Sequence, residues 1–311
     1  MEHSPKIFDV IIIGGGPAGM AAAVWCADLG LTSIVLEKGK SLGGQLSKIH
    51  DPITNYVGIN TKNGIELRDI FAGRLSETRT LISSPAEVVS IDPHGLTVQL
   101  ADGAIVSGRA IFIATGVSRR RLGIAGETEF SGRGILESGA ASREIVKGKD
   151  VVIVGGGDAA FENAVMLSEH ARQVTLLHRS NTFSARSEFT SIVQNAPNVK
   201  IIGGVELSKI TGGDAVEAIE YTDLRTRETS TMRADALLIR VGVMPNSNIL
   251  PHEIDLDDRG YVITGRTCMT NIPFVFAVGD ISNPSAPTIN GAVGDAATAA
   301  KAAYRLLAAS K

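Results

Sequence analysis

The residues best placed to do chemistry here are glycines, and they act through their backbone. Gly14, Gly16 and Gly19 follow the β-branched run Val10 to Ile13 and fit G-x-G-x-x-G. In such a turn one glycine makes the tight bend, one lets the backbone approach a pyrophosphate, and one lets a helix pack closely on the strand. Glu37 stands 18 residues after Gly19, at the end of the apolar run Ser33 to Leu36, where a carboxylate can accept a hydrogen bond from a ribose 2′-hydroxyl. The pattern recurs. Gly155, Gly157 and Ala160 follow the run Asp150 to Val154 as G-x-G-x-x-A. Counting 23 residues from the first glycine of each turn reaches Glu37 in the first unit and His178, beside Arg179, in the second. A cation at that position suits a 2′-phosphate and not a free hydroxyl. The first turn is therefore expected to take a dinucleotide without a 2′-phosphate and the second one with it.

Each turn needs a buried parallel strand before it and a helix after it. The first helix is expected from Met20 through Ala27, ended by Gly30. A second is expected near Gly64 to Ser76, and the second turn's helix runs to about His170, with the strand Val174 to Leu177 after it. Residues from about 80 to 113 alternate around turn signals at Asp92-Pro-His-Gly and Asp102-Gly, which predicts an antiparallel meander before the buried strand at Ile111. A second meander is predicted from about 199 to 240, turning at Gly212-Gly-Asp. Late in the chain, Phe274 to Val278 is a buried strand ending in Gly279-Asp280, and the alanine-rich stretch from Ala292 to Ala309 is a helix. A start near Ile289 would aim free N–H groups beside Asp280.

The chain has 311 residues, 44% of them hydrophobic, a length and composition that support two cored domains. A net charge of −3 with no basic block argues against a nucleic-acid surface. The apolar runs are strand-sized and no leader-like segment opens the sequence, so neither secretion nor membrane spanning is expected. Two cysteines, Cys26 and Cys268, form neither a disulfide framework nor a metal-ligand spacing; no metal is expected, and the compartment expected is the reducing cytoplasm.

Taken in order, Gly14-Gly-Gly-Pro-Ala-Gly19, Glu37, Gly43-Gly-Gln45, Asn55, Ala114-Thr-Gly116, Gly155-Gly-Gly-Asp158, Glu162, His178-Arg179 and Gly279-Asp280 carry a family likeness over nearly the whole chain. The sequence resembles the low-molecular-weight thioredoxin reductases. That resemblance implies an α/β fold of two Rossmann-like, three-layer dinucleotide-binding domains, each with an antiparallel β-meander, the second inserted in the first. It implies an FAD domain at 1–117 and 245–311 and an NAD(P)H domain at 118–244. FAD would meet Gly14, Gly16, Pro17, Ala18, Gly19, Glu37, Gly44, Gln45, Asn55, the Val88 backbone, Thr115, Gly116, Gly279 and Asp280. NADPH (or NADH) would meet Gly155, Gly157, Asp158, Ala160, Glu162, His178 and Arg179. A homodimer is implied as well.

The departures bear on activity. The resemblance implies a Cys-x-x-Cys and an acid starting 17 residues before Gly155, and the sequence there has Ser138, Ala141 and Ser142. A serine hydroxyl neither forms a disulfide nor attacks one at neutral pH, so no dithiol relay is possible at this site. Ser180 replaces the family's second arginine after His-Arg, which predicts weaker NADPH binding unless Arg186 substitutes. Pro287-Thr288 replaces an Arg-Gln pair over the flavin. Cys26 and Cys268 are expected as buried apolar residues. His50 is the one titratable group that the sequence places near the expected flavin edge, as a candidate acid or base.

The expected activity is an FAD-dependent oxidoreductase reduced by NAD(P)H, passing electrons directly to an external acceptor, either a small molecule or a small redox protein. A ferredoxin/flavodoxin-NADP reductase-like enzyme is a variant of this reading. It is set lower because such enzymes carry an extension past the last helix and this sequence stops at Lys311. Two alternatives stand beside it. One is a flavin oxidase or dehydrogenase on a small substrate with a weak or vestigial NADPH site, and the other is a cofactor-binding sensor without turnover.

Overall fold

The computed structural model describes residues 6–310; residues 1–5, where a leader would begin, and Lys311 lie outside it. The chain divides into two compact units, Met1–Ser118 with Met244–Lys311, and Arg119–Val243.

The first unit is built on five parallel strands. Their order across the sheet is Val275–Ala277, Ile111–Ile113, Val10–Ile13, Ser33–Leu36 and Leu81–Ser83. Successive side chains of a strand point to opposite faces, and the core divides accordingly. Val10 and Ile12 pack with the helices, while Ile11 and Ile13 pack toward a second sheet. The helical layer holds Pro17–Asp28, Gly64–Ser76 and Ile289–Ala309. Ala22, Ala23 and Cys26 of the first helix share a fully apolar cluster with Ala292, Ala296, Ala299, Ala300 and Ala303 of the last, small side chains that let the two backbones approach. The opposite layer is Ile7–Phe8, Ile105–Gly108, Thr97–Leu100 and Val88–Asp92, in that order.

The predicted meander is thus narrower than the alternation implied. Leu81–Ser83 pairs parallel to Ser33–Leu36 at the edge of the central sheet, and only Val88–Asp92, Thr97–Leu100 and Ile105–Gly108 run antiparallel. The reason is exposure. Leu81 and Ile82 are both about 44% exposed, so an edge strand carries the same mixed pattern as a meander strand.

The second unit has the same three layers. Its parallel strands run Val199–Gly203, Gln173–His178, Asp150–Val154 and Ala236–Ile239 across the sheet. Helices Asp158–Ser168 and Ser187–Asn195 cover one face. Strands Val205–Gly212, Val216–Asp223 and Thr229–Arg233 cover the other. The predicted second meander likewise loses its first and last pieces, Val199–Gly203 and Ala236–Ile239, to the parallel sheet.

Candidate functional site

In the first unit the carboxyl ends of four parallel strands open into a cleft of about 460 Å³. Strand ends are where the open α/β sheet leaves a crevice for ligands. Gly14 continues strand Val10–Ile13 at φ +107°, and a Cβ there would run into the Ala114 carbonyl, so only glycine makes this bend. A Cβ on Gly16, in contrast, would meet nothing within 4 Å: that face is open to whatever occupies the cleft. Helix Pro17–Asp28 then begins with no side-chain cap and no acid in its first turn, leaving its N–H groups for an anion. The Glu37 carboxylate accepts from Gly15 N–H at 2.7 Å and Gly39 N–H at 2.6 Å. A carboxylate has about four lone-pair sites, so acceptor capacity remains for a ribose hydroxyl.

Two further observations fit a dinucleotide. Thr115 lines the cleft with its Oγ1 buried and unpartnered, a polar atom that a bound ligand would satisfy. Asp280 is half-buried at the cleft, its carboxyl pushed above the usual range by burial and by the neighbouring Asp295 charge. Asp295 comes from the last helix and accepts from Gly279 N–H at 3.2 Å; burial pushes its own carboxyl up as well. The residues present fit FAD.

Gly14, Gly16, Pro17, Ala18, Glu37, Gly44, Gln45, Val88, Thr115, Gly116 and Asp280 line this cleft. Gly19 and Gly279 are buried behind it, where a Cβ would press on the Gly14 carbonyl and on Ala18 respectively. Asn55 does not line the cleft: it is exposed, and its carbonyl accepts from Asn290 Nδ2 at 2.9 Å. His50 is also exposed and outside the lining, although Lys48 and Ile49 are in it, so the geometry offers no support for His50 as an acid or base. Gln45 does not project freely, because its Nε2 donates to the Val117 carbonyl at 2.6 Å and steadies the wall at 115–117. Sequence reasoning missed Asn246, whose Nδ2 donates to the Thr115 carbonyl at 2.7 Å and whose Oδ1 accepts from Ser118. The signal was the Pro245-Asn246 pair where the chain re-enters this unit.

In the second unit Gly155 bends at φ +148° against the Arg240 carbonyl. Gly157 opens helix Asp158–Ser168, and Ala160 is buried behind the turn. Asp158 sits in the helix's first turn, where its charge would compete with a phosphate. It is held by Arg186, whose N–H and Nε donate to it at 2.7 and 3.0 Å. Arg186 thus spends its backbone N–H and Nε on Asp158, across an exposed contact. The Ser180 hydroxyl accepts from Thr182 N–H within its own turn. Glu162 is exposed one turn along the helix. The His178 ring lies where a Cβ on Gly156 would stand and packs against Phe183 at 5.6 Å. Burial, then the Arg179 charge, hold its pKa below the usual value. Arg179 is exposed and has no acidic partner among the described residues, which leaves it free to meet a phosphate. A cavity of about 380 Å³ in this unit lies at the opposite end of the sheet, among Asp150, Arg172, Lys200 and Arg233, away from the glycine turn.

Ser138, half-buried, accepts weakly from Ala141 N–H at 3.4 Å, ahead of a short 3₁₀ turn at Ala140–Ser142. Both cysteines are buried and free. Burial first, and then a nearby aspartate, push the Cys26 thiol up to about 12 and that of Cys268 up to about 11. Neither is a thiolate at neutral pH. Among the described residues no cluster of His, Cys, Asp or Glu could hold a metal, and no helix is long and apolar enough to cross a membrane.

A model of the pyridine nucleotide-disulphide oxidoreductase family matches residues 8–303. The chain belongs to this family. Within it, the chain is a thioredoxin reductase-like, FAD-dependent oxidoreductase of two Rossmann-like domains, and thioredoxin reductases use FAD and NADPH. The crystal structure of Lactococcus lactis thioredoxin reductase in its FR conformation is similar with a TM-score of 0.83 and 31% identity, over 97% of this chain and 99% of that one. A 34.2 kDa protein in a rubredoxin operon of Clostridium pasteurianum is 30% identical, over 97% of this chain and 98% of its own length. An alkyl hydroperoxide reductase component of Staphylococcus epidermidis is 29% identical over 96% of this chain, which spans only 58% of that component's length.

Proposed function

We propose that this oxidoreductase takes reducing equivalents from NADPH and delivers them to an external acceptor with no dithiol in between. The observation that carries the reading is the placement of its sulfur. Ser138 and Ala141 stand where the family resemblance implies the redox pair, and the two cysteines that exist are buried with thiols pushed far above neutrality. When bound, FAD supplies the hydride and electron chemistry. The chain's own groups bind and orient. Glu37 holds a ribose, the open N-terminus of helix Pro17–Asp28 and Gly16 take a pyrophosphate, and Thr115 Oγ1 gains the partner it lacks. Gly279 backs the proposed FAD seat from behind, against Ala18, while Asn55, outside the cleft lining, is left out of it. Gly155, Gly157, Asp158, Ala160, Glu162 and His178 form the proposed NADPH seat, with Arg179 on the 2′-phosphate. The FAD domain is the discontinuous unit and the NADPH domain the inserted one. A small molecule or a small redox protein is the acceptor, and a homodimer in the cytoplasm is the proposed setting, the latter supported by the two unpaired cysteines.

Anaerobic mixing with NADPH, followed by thioredoxin or an aromatic disulfide, tests this. The flavin absorbance should bleach while neither disulfide is reduced. Efficient disulfide reduction would sink the reading. A second reading, a flavin oxidase with a vestigial nucleotide seat, draws on one observation: His178 lies over Gly156, and Asp158 places negative charge at the helix start. It predicts a flavin that NADPH leaves oxidised.

A further inference from the structure

Four arginines cluster in sequence or in space around one short segment of the second unit. Arg119, Arg120 and Arg121 are consecutive, and Arg240 follows strand Ala236–Ile239. Arg119 Nη1 donates to the Glu137 carbonyl. Arg240 Nη2 donates to the same carbonyl at 3.2 Å, and its Nη1 donates to the Ile239 carbonyl at 3.0 Å. Two guanidinium groups, from residues 121 positions apart, thus converge on a single oxygen.

That oxygen is neutral and cannot balance two charges. The carboxylate paired with them is Glu137's own, 3.7 Å from Arg119, with its side chain 78% exposed. Water screens so exposed a carboxylate and leaves it free to swing away. Burial and the Arg119 charge push the Arg240 pKa down to about 10, with Glu137 only partly offsetting them. A half-buried pair of like charges is a costly arrangement unless an anion joins it. Planar guanidinium forks match the geometry of carboxylate and phosphate oxygens.

The location gives the cluster its meaning. Glu137 immediately precedes Ser138-Gly-Ala-Ala141, the small-residue segment standing where the resemblance implies the dithiol. The Arg240 carbonyl lies against Gly155 at the nucleotide turn. We propose that Arg119 and Arg240 form the seat of an anionic group, the carboxylate or phosphate of a small-molecule electron acceptor. This rests on the reading that electrons leave for an external acceptor. Glu137 holds the seat by salt bridge until the anion displaces it, and the acceptor's charge, in place of a reactive thiol, selects it.

Binding tests the seat without turnover. The FAD-loaded protein with Arg179→Ala, which silences the proposed 2′-phosphate seat, is titrated with inorganic phosphate while its unfolding temperature is followed. A concentration-dependent rise is expected, and adding Arg119→Gln or Arg240→Gln should abolish it, while Arg240→Lys should retain part. An equal phosphate response in all four proteins would overturn the proposal. Steady-state turnover supplies the second arm, with Arg179 intact and two quinones that share a ring, one neutral and one sulfonated. Either glutamine variant should raise KM for the sulfonated quinone about tenfold or more and leave KM for the neutral quinone and for NADPH unchanged. If KM for NADPH rises instead, the pair serves the nucleotide and the proposal fails. If no form reduces either quinone, yet phosphate binding still depends on both arginines, the anion seat stands and the acceptor reading falls.

Discussion

Glu37→Ala is the perturbation whose consequences the structure defines most fully. Glu37 is half-buried and accepts from Gly15 N–H at 2.7 Å and Gly39 N–H at 2.6 Å, so it braces the glycine turn before any nucleotide arrives. Removing it orphans two backbone donors in partial burial, at about 1–2 kcal/mol each, or about 2–4 kcal/mol in all. For a unit of this size roughly 2–4 °C of unfolding temperature accompanies each kcal/mol, so the flavin-free protein should melt about 5–15 °C lower. FAD should lose in addition the proposed charge-assisted bond to its ribose, and its dissociation constant should rise about ten- to a hundredfold. Differential scanning of the flavin-free protein gives the first quantity and fluorescence titration with FAD the second. Glu37→Gln separates the two effects: its amide oxygen can accept from only one of the donors, so it should fall between alanine and the native protein in both assays. If FAD affinity were unchanged in Glu37→Ala, the first glycine turn would not be the FAD seat. If affinity fell with no change in unfolding temperature, the bracing role would be wrong.

Three further outcomes follow from the same geometry. Arg179→Ala should raise KM for NADPH about tenfold and leave KM for NADH nearly unchanged, because the exposed guanidinium, without an acidic partner among the described residues, is proposed to meet the 2′-phosphate alone; equal loss for both would make Arg179 structural. Asp295→Asn should raise the unfolding temperature of the flavin-free protein by roughly 2 °C at neutral pH, since Asp280 and Asp295 are both pushed up by burial and Asp295 adds like charge to Asp280. A raised carboxyl pKa stabilises the fold fully below its unfolded value near 3.8 and loses that stability as pH climbs through the folded value, so the variant's advantage should vanish on acidification; a pH-independent difference would refute the coupling. Cys26→Ala with Cys268→Ala should leave turnover intact apart from a packing loss of about 1–3 kcal/mol in stability, read by denaturant unfolding, because neither buried thiol ionises near neutrality.

Much of the frame was legible because it is local. Both glycine turns, their strands and helices, and the Gly279-Asp280 strand end are short-range patterns with one steric solution. Alternation reports exposure and not pairing direction, so the parallel strands Leu81–Ser83 and Val199–Gly203 read in the sequence as meander strands. What lay beyond reach is long-range. His50 and Asn55 stand close in sequence to cleft residues, yet both are exposed and outside the cleft lining. The fold alone brings Asp158 within 3.0 Å of Arg186. Asn246 against Thr115, Asp295 against Gly279, and Arg240 beside Arg119 are all joined by the fold alone.

An anaerobic reductive titration with NADPH, counted in equivalents per FAD, shows whether a dithiol stands between the flavin and its acceptor. A flavin with a redox-active disulfide behind it takes up four electrons, and a flavin alone takes up two. Complete bleaching is expected at one equivalent of NADPH, with no further reducing equivalents stored on the protein. Uptake of a second equivalent, with two thiols appearing as it is consumed, would reveal a dithiol relay and contradict the proposed direct transfer.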